Sequence, residues 1–473
     1  MKKLVLLQCL AFFCNAATAQ QSQNQTNSSG TEIQIRHPEC ATKSPGMEWE
    51  QEFQTNIQEY AKRQSKNGNV TASYTIPVIV HVLYNGTTES KVGTAANVYA
   101  AQVKAQIDAL NDAFAGKAPG NSSLPSAFAK VDANDISIRF CLAVIDKNGN
   151  TMAEPGIERI DWKAKGWSSV TTVDGNNIAS YYDNTVKPST IWDPTKYYNI
   201  WIGDFFTPKG GIIGYAKFPA SSTLTNNFGS LTGSSKNDGV VMATRCFGCK
   251  TKFSGGYYAD SFNNGAFSYG ITTVHETGHW LGLHHISGDS SCGNDYCSDT
   301  PPQKGGNAGC ANGLNWNCPS YPFQANQCTG NTYGEMFQNF MDYTDDYCRS
   351  LFTANQATRM MTAMANAPNR KLLGTHGLCG SPTGIADEEN SNGLQVYPNP
   401  NSGTFTIVLN SMEKATYQLE LRNVLGQLVY SETLSNFNGR YSKDLNVSEY
   451  GKGIYMMNVV SGDTKMTQKV IVY

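Results

Sequence analysis

An α/β (α+β) unit with a mixed sheet and a histidine-bearing helix, followed by a small all-β sandwich, is the architecture that the 473-residue sequence predicts. Three observations carry it. Strand-like apolar runs alternate with helical spacing through the first two thirds of the chain. Residues 271–286 read I-T-T-V-H-E-T-G-H-W-L-G-L-H-H-I, with both histidines of H-E-x-x-H on one helical face. After about residue 380 the chain changes to short alternating segments divided by turn residues.

Taken in order, residues 1–19 read as a secretory signal peptide: Lys2 and Lys3, an apolar run from Leu4 to Phe13, and Ala17-Thr18-Ala19 ahead of Gln20. Cys9 and Cys14 raise a lipid-attachment alternative, but neither follows the small-residue pattern that such a site needs. Residues 20–72 read as a propeptide. It opens with a polar, low-complexity stretch to about residue 35, expected to be disordered, then a helical piece around M-E-W-E-Q-E-F, then a linker over 65–69. The catalytic unit is assigned to 73–380. It begins with a buried strand over 74–84, followed by an amphipathic helix over 96–114 carrying Val98, Val103, Ile107, Leu110 and Phe114 at helical spacing. Further strands are expected over 136–145, 198–202 and 239–244, with 212–218 as an edge strand. A linker over 381–393 leads to the sandwich, 394–473. Its strands are expected over 404–409, 417–421, 427–430, 454–460 and 469–472, separated by turns such as Asn401-Ser402-Gly403 and Gly451-Lys452-Gly453.

Bulk charge selects no partner. The formal net charge is −2 with 16% charged residues, so no basic field for nucleic acid exists. No run after the signal approaches the roughly 18 apolar residues of a membrane span.

Chemistry concentrates in His275-Glu276-x-x-His279-x-x-Gly282-x-x-His285. His275 and His279 lie one helical turn apart and can reach one ion, while Glu276 lies about 100° around the helix, beside the metal and not on it. Gly282 can take the left-handed conformation that ends a helix, which brings His285 back as a third ligand. Three nitrogen ligands leave a tetrahedral zinc with an open fourth position, the mark of a catalytic site. The expected chemistry is hydrolysis of a peptide bond with Glu276 as general base. His284 adjoins His285, but the spacing from Gly282 favours His285 and puts His284 at the rim. Asn339-Phe340-Met341-Asp342-Tyr343 supplies the methionine turn that follows such a zinc helix, with Met341 beneath the metal.

These motifs, with Asp299-Thr300-Pro301, Phe352-Thr353, Gln356 and Arg359, make residues of roughly 73–365 resemble the pappalysin family of metzincins. The resemblance implies a metzincin-like zinc protease fold, zinc on His275, His279 and His285, Glu276 as base, and Tyr343 near the oxyanion. It also implies calcium in the loop after the zinc helix, where Asp289, Asn294, Asp295 and Asp299 offer oxygen ligands. Cys292, Cys297, Cys310, Cys318, Cys328 and Cys348 crowd one loop-like stretch and read as disulfide staples. The family pattern maps them as Cys292 with Cys328 and Cys318 with Cys348, and leaves Cys297 and Cys310 for a third bond. Cys246 and Cys249 form a C-x-x-C read as a small local disulfide. Val396-Tyr397-Pro398-Asn399-Pro400, Val424-Leu425-Gly426-Gln427, Gly453-Ile454-Tyr455 and Lys469-Val470-Ile471-Val472 resemble the C-terminal sorting domain of the type IX secretion system. That likeness implies a Gram-negative bacterium and an enzyme released or attached outside the cell.

Protein or peptide substrates and the type IX machinery are therefore the expected partners. An adhesion module with an inert core, or a hydrolase of some non-peptide amide, are the rival classes. The intact Glu276 argues against the first. Arg349, in the segment after Met341, is expected to help line the pocket for the residue following the scissile bond, and gives no support for a basic preference there. Latency is the last expectation. Cys40, in Arg36-His37-Pro38-Glu39-Cys40-Ala41-Thr42, can fill the open zinc position as a thiolate. Some family members carry arginine two residues before such a cysteine and glycine after it, where this chain has Pro38 and Ala41. Glu39 is a carboxylate alternative, and a disulfide from Cys40 to Cys141 or Cys379 is the third. Activation would follow cleavage between about Lys62 and Asn69.

Overall fold

The computed structural model describes residues 24–26, 32–34, 39–66, 73–118, 124–173, 177–205, 212–220, 231–258, 266–307, 318–379, 394–397, 399, 401, 403–462 and 464–473. The signal sequence, the linker over 381–393 and Asn69 lie outside them. Part of the leader expected to lack structure is ordered as a short antiparallel ladder of β1 (Asn24–Thr26) and β2 (Glu32–Gln34). Its polar composition gives no sign of that pairing.

Next in the chain come β3 (Glu39–Cys40), α1 (Met47–Lys66), β4 (Tyr74–Tyr84), α2 (Ala100–Phe114) and a single turn, α3 (Ser126–Ala129). They are followed by β5 (Ile138–Leu142), β6 (Ile157–Asp161), the short α4 (Ile178–Tyr181) and α5 (Lys187–Thr190), then β7 (Tyr198–Gly203), β8 (Ile212–Ala216) and β9 (Val240–Ala243). Two helices complete this unit, α6 (Ile271–Trp280) and α7 (Ala354–Asn366). Strands β3 to β9 form one mixed sheet in the order β3-β8-β9-β7-β4-β5, and β6 also pairs with β4. All pairings are parallel except β8 with β9. The length of β4 lets its first half pair with β5 and its second half with β6.

Both faces of β4 are covered. Ile76, Val78, Val80 and Val82 meet Val103, Ile107, Leu110 and Phe114 of α2 and Ile271 and Val274 of α6, whereas Leu83 joins Trp201, Tyr215 and Val241 on the opposite side. Double coverage explains why this strand reads as a continuous apolar run. Helix α7, which the periodicity did not single out, starts at a capping box in which Thr353 and Gln356 satisfy each other's backbone N–H groups.

The C-terminal unit is a connected antiparallel sheet of β10 (Leu394–Tyr397), β11 (Thr404–Asn423), β12 (Leu428–Asn446), β13 (Gly453–Ser461) and β14 (Thr464–Val472). Its core holds Ile407, Leu409, Leu419, Leu421, Met457, Val459 and Val470. The runs 404–409 and 417–421, expected as separate strands, are the two ends of β11. Register shifts between Ser411 and Tyr417 absorb the polar interruption as bulges, so the ladder with β12 continues past it. No described helix is long and apolar enough to cross a membrane.

Candidate metal centre

Helix α6 is anchored at its start by a carboxylate from far along the chain. Asp346 Oδ2 accepts from the N–H groups of Tyr269 (3.1 Å) and Ile271 (3.2 Å), and Oδ1 accepts from Thr272 Oγ1 (2.8 Å). Negative charge at a helix N-terminus is favourable, and Arg349 at 2.7 Å balances it. The helix ends in a Schellman turn. Gly282 sits at φ +93° and donates to His279 O (2.9 Å), while Leu283 N donates to Gly278 O (3.0 Å). The reversal carries His285 back over the face that bears His275 and His279.

The three imidazoles converge, and their outer nitrogens are all engaged. Nδ1 of His275 bonds Phe340 O at 2.8 Å, Nδ1 of His279 bonds Leu283 O at 2.7 Å, and Nδ1 of His285 bonds Asp289 Oδ1. A carbonyl or a carboxylate only accepts, so Nδ1 carries the proton and Nε2 presents a lone pair. Nε2 of His279 lies 3.1 Å from that of His275 and 2.9 Å from that of His285. Three lone pairs this close repel one another unless a cation lies among them, so the donor set fits zinc. Burial pushes the pKa values of His275 and His279 well below the ordinary imidazole value, which keeps both rings neutral. For Asp289, burial acts upward, but the hydrogen bonds from His285 and Ser44 and the neighbouring imidazoles together outweigh it and hold the carboxylate ionised.

Met341 packs under the helix at Gly278, where an added Cβ would fall 2.5 Å from its sulfur. The turn is fixed by Asn339, whose Oδ1 accepts from Met341 N (2.9 Å) and whose amide exchanges hydrogen bonds with Gln356 of α7 (2.8 and 3.0 Å). Tyr343 Oη lies 2.9 Å from His285 Nε2. Arg349 is buried and bound to Asp346, so its charge is spent within the wall.

Glu276 is fully buried beside the three rings, and burial pushes its pKa up to about 7 against the lowering effect of Cys40 and Thr42. Its Oε2 accepts from Thr42 Oγ1 at 2.9 Å, and the same hydroxyl accepts from Ala216 N at 2.8 Å. Cys40 Sγ belongs to the cluster of ligand atoms with His275, His279 and His285, all within 4.8 Å of one another. β3 lies parallel to β8 as the edge strand of the sheet, and Ala41 N donates to Gly214 O at 3.0 Å, so the N-terminal segment runs along the cleft.

Several expectations need correction. Cys141 is bonded to Cys379, which leaves neither for Cys40, a free thiol. Cys246 and Cys249 are both free as well. The first packs with Trp201 and Val241, the second against Ala105 and Ala109, so their side chains enter different cores. Disulfides join Cys292 to Cys328 and Cys318 to Cys348. Cys297 is a buried free thiol, and Cys310 lies outside the described residues. The four calcium candidates do not share a centre. Asp289 serves His285 and Ser44, Asn294 caps Tyr296 N, Asp295 takes Thr300 and Cys297 N, and Asp299 caps α7 through Thr353 and Asn355. Each of these oxygens accepts a hydrogen bond from the protein, and the metal-ligand group among the described residues is the one at the three histidines. His284 is not at the rim. It is 5% exposed, with Nε2 2.9 Å from Glu50 Oε2. Thr42 and Glu50 escaped the sequence reading altogether, because nothing local marks a threonine after a cysteine, or one glutamate among Glu48, Glu50 and Glu52.

Comparison with known proteins gives two family matches and four similar chains. Residues 180–365 match the family described as pregnancy-associated plasma protein-A, and residues 395–473 match the secretion system C-terminal sorting domain. Mature mirolysin of Tannerella forsythia, in complex with a cleaved peptide, is 32% identical with a TM-score of 0.50, covering 66% of this chain and 99% of that one. A promirolysin variant gives the same identity and TM-score over 68% of this chain and 91% of the other. An extracellular metalloprotease of Colletotrichum graminicola is 28% identical over 330 residues, 68% of this chain and 88% of that protein. Another, from Pyricularia oryzae, is 34% identical over 157 residues, and the match spans 33% of this chain and 44% of the relative's length.

Proposed function

We propose, from the premise that this chain belongs to the pappalysin family of metalloproteases, that it is a zinc endopeptidase made as a latent proenzyme and exported through its type IX sorting tail. One observation carries the reading: Nε2 of His279 lies within 3.1 Å of the Nε2 atoms of both His275 and His285 while all three Nδ1 atoms are held by acceptors. His275, His279 and His285 would hold the zinc, which when bound polarises the scissile carbonyl and makes water acidic near neutral pH.

The chain's own residues do the rest. Glu276, once Thr42 has left, takes the proton of the attacking water on a carboxylate oxygen and passes it to the leaving amine nitrogen. Tyr343 donates from Oη to the oxygen that gains charge as the carbonyl becomes tetrahedral, a role supported by its approach to His285. Met341 gives the site an apolar floor. The cleaved peptide bound by mature mirolysin supports a peptide substrate.

Residues 20–72 are read as the prosegment, and its latency as double. Cys40 as thiolate would complete the zinc ligands, which its position among the three imidazoles supports. Thr42 would meanwhile occupy the proton acceptor. The side chain of Glu39, the carboxylate alternative, lies outside the described residues. Casein digestion by the processed enzyme tests the proposal. It should stop on adding a zinc chelator and return with zinc; turnover indifferent to the chelator would reject it.

A further inference from the structure

Helix α1 is fastened to the catalytic unit at a place separate from the metal. Glu50 is 2% exposed and forms a two-pronged ion pair with Arg359, Oε1 to Nη1 at 2.6 Å and Oε2 to Nη2 at 2.8 Å, and His284 Nε2 lies 2.9 Å from the same Oε2. Arg359 is itself 1% exposed and is braced on Gly282 O at 3.0 and 3.2 Å, the turn that delivers His285. Burial raises the Glu50 carboxyl, but Arg359 and His284 outweigh it and hold its pKa at about 2. Two aromatic rings flank the pair. Trp49 stacks on Phe53 (4.7 Å between centroids), meets Phe218 edge-on (5.4 Å) and donates from Nε1 to Pro219 O (3.1 Å). Phe53 lies under the Arg359 guanidinium at 4.7 Å, in space open because residue 282 has no Cβ.

We infer that Arg359 and His284 form a carboxylate-binding socket on the catalytic unit, and that Glu50 with Trp49 and Phe53 keeps the prosegment seated there after the backbone between α1 and β4 is cut. Scission and release are then separate events, and a cut enzyme stays silent until the segment leaves. The inference rests on reading residues 20–72 as a prosegment. Its physical ground is independent of the metal. Neutralising Glu50 in the seated segment leaves a buried guanidinium with only neutral acceptors, which is strongly unfavourable, whereas the intact pair is hydrogen-bonded at both ends. A buried ion pair is also screened little by salt.

The test uses the full chain with residues 67–72 replaced by the recognition sequence of a site-specific protease. After complete cutting, gel filtration and mass spectrometry read whether the piece containing 39–66 stays with the body, and casein digestion is followed separately. The wild-type pieces should stay together, with or without a zinc chelator, and remain inactive. Glu50→Gln should release the segment at least ~10²-fold faster, the scale of one unpaired buried charge. A second arm needs no variant protein: excess peptide 39–66, wild type or Glu50→Gln, is offered to the cut wild-type chain. The wild-type peptide should exchange into the complex at least ~10²-fold more effectively. Immediate separation of the wild-type pieces, release on chelation, or equal exchange by the two peptides would overturn the inference. Because association is read without activity, an enzyme that holds its segment yet digests no casein in any form would count against the protease reading alone.

Discussion

The floor and the cover of the cleft differ in how far along the chain their contacts reach. On the floor, α6 and the 339–349 turn, some polar groups find partners through motifs of fixed local spacing, as where Nδ1 of His279 reaches Leu283 four residues on and Met341 N reaches Asn339 two residues back, while Asp346 and Phe340 O reach α6 from far along the chain. On the cover, residues 39–66, the decisive contacts join positions 234 and 309 apart, Thr42 with Glu276 and Glu50 with Arg359. On the proposed reading the floor is permanent and the cover detachable, with catalysis assigned to the first and its timing to the second.

The sharpest break between neighbours should appear at His284 and His285, which are adjacent in sequence but of which the first holds the cover and the second belongs to the floor. His285→Ala is expected to lose zinc and all measurable proteolysis, whereas His284→Ala keeps zinc and loosens only the prosegment. Metal analysis giving the reverse pattern would move the ligand role. Next in size is Cys40→Ala in the unprocessed form, which should raise residual activity roughly tenfold over unprocessed wild type, equivalent to ~1.4 kcal/mol. Equal latency in both would shift the blocking role to Thr42 and Glu50.

The difference between the two walls also explains what was legible in the sequence. A helical turn fixes where His275 and His279 point, and a glycine able to adopt positive φ marks where the chain must reverse, so the convergence of the three imidazoles could be read from spacing alone. The strands β4, β7, β8 and β9 were legible for a similar reason, since their apolar runs are continuous. Spacing carries no information about Glu50 and Arg359, or about Asp346 capping α6, because the fold alone brings those residues together. Long polar breaks misled in the same way. The interruption inside β11 looks like a turn, yet hydrogen bonding to β12 turns it into a bulge.

Smaller effects refine the account of the floor. Gly278→Ala puts a methyl 2.5 Å from the Met341 sulfur, so overpacking should destabilise the catalytic unit by about 1–3 kcal/mol. Chemical denaturation measures it, and an unchanged midpoint would show that the methionine turn does not bear on the helix. Thr353→Ala removes one half of the α7 capping box, and should lower stability by ~1 kcal/mol while leaving prosegment binding intact. A loss of prosegment affinity in that variant would mean that α7 transmits strain to Arg359.

The most direct test of the assignment of catalysis to the floor is Glu276→Gln in the processed enzyme, with zinc content and casein hydrolysis measured on the same sample. The account predicts one zinc per chain, as in wild type, and turnover lower by at least ~10²-fold, the scale of lost general acid–base catalysis. Near-normal turnover with zinc retained would contradict it.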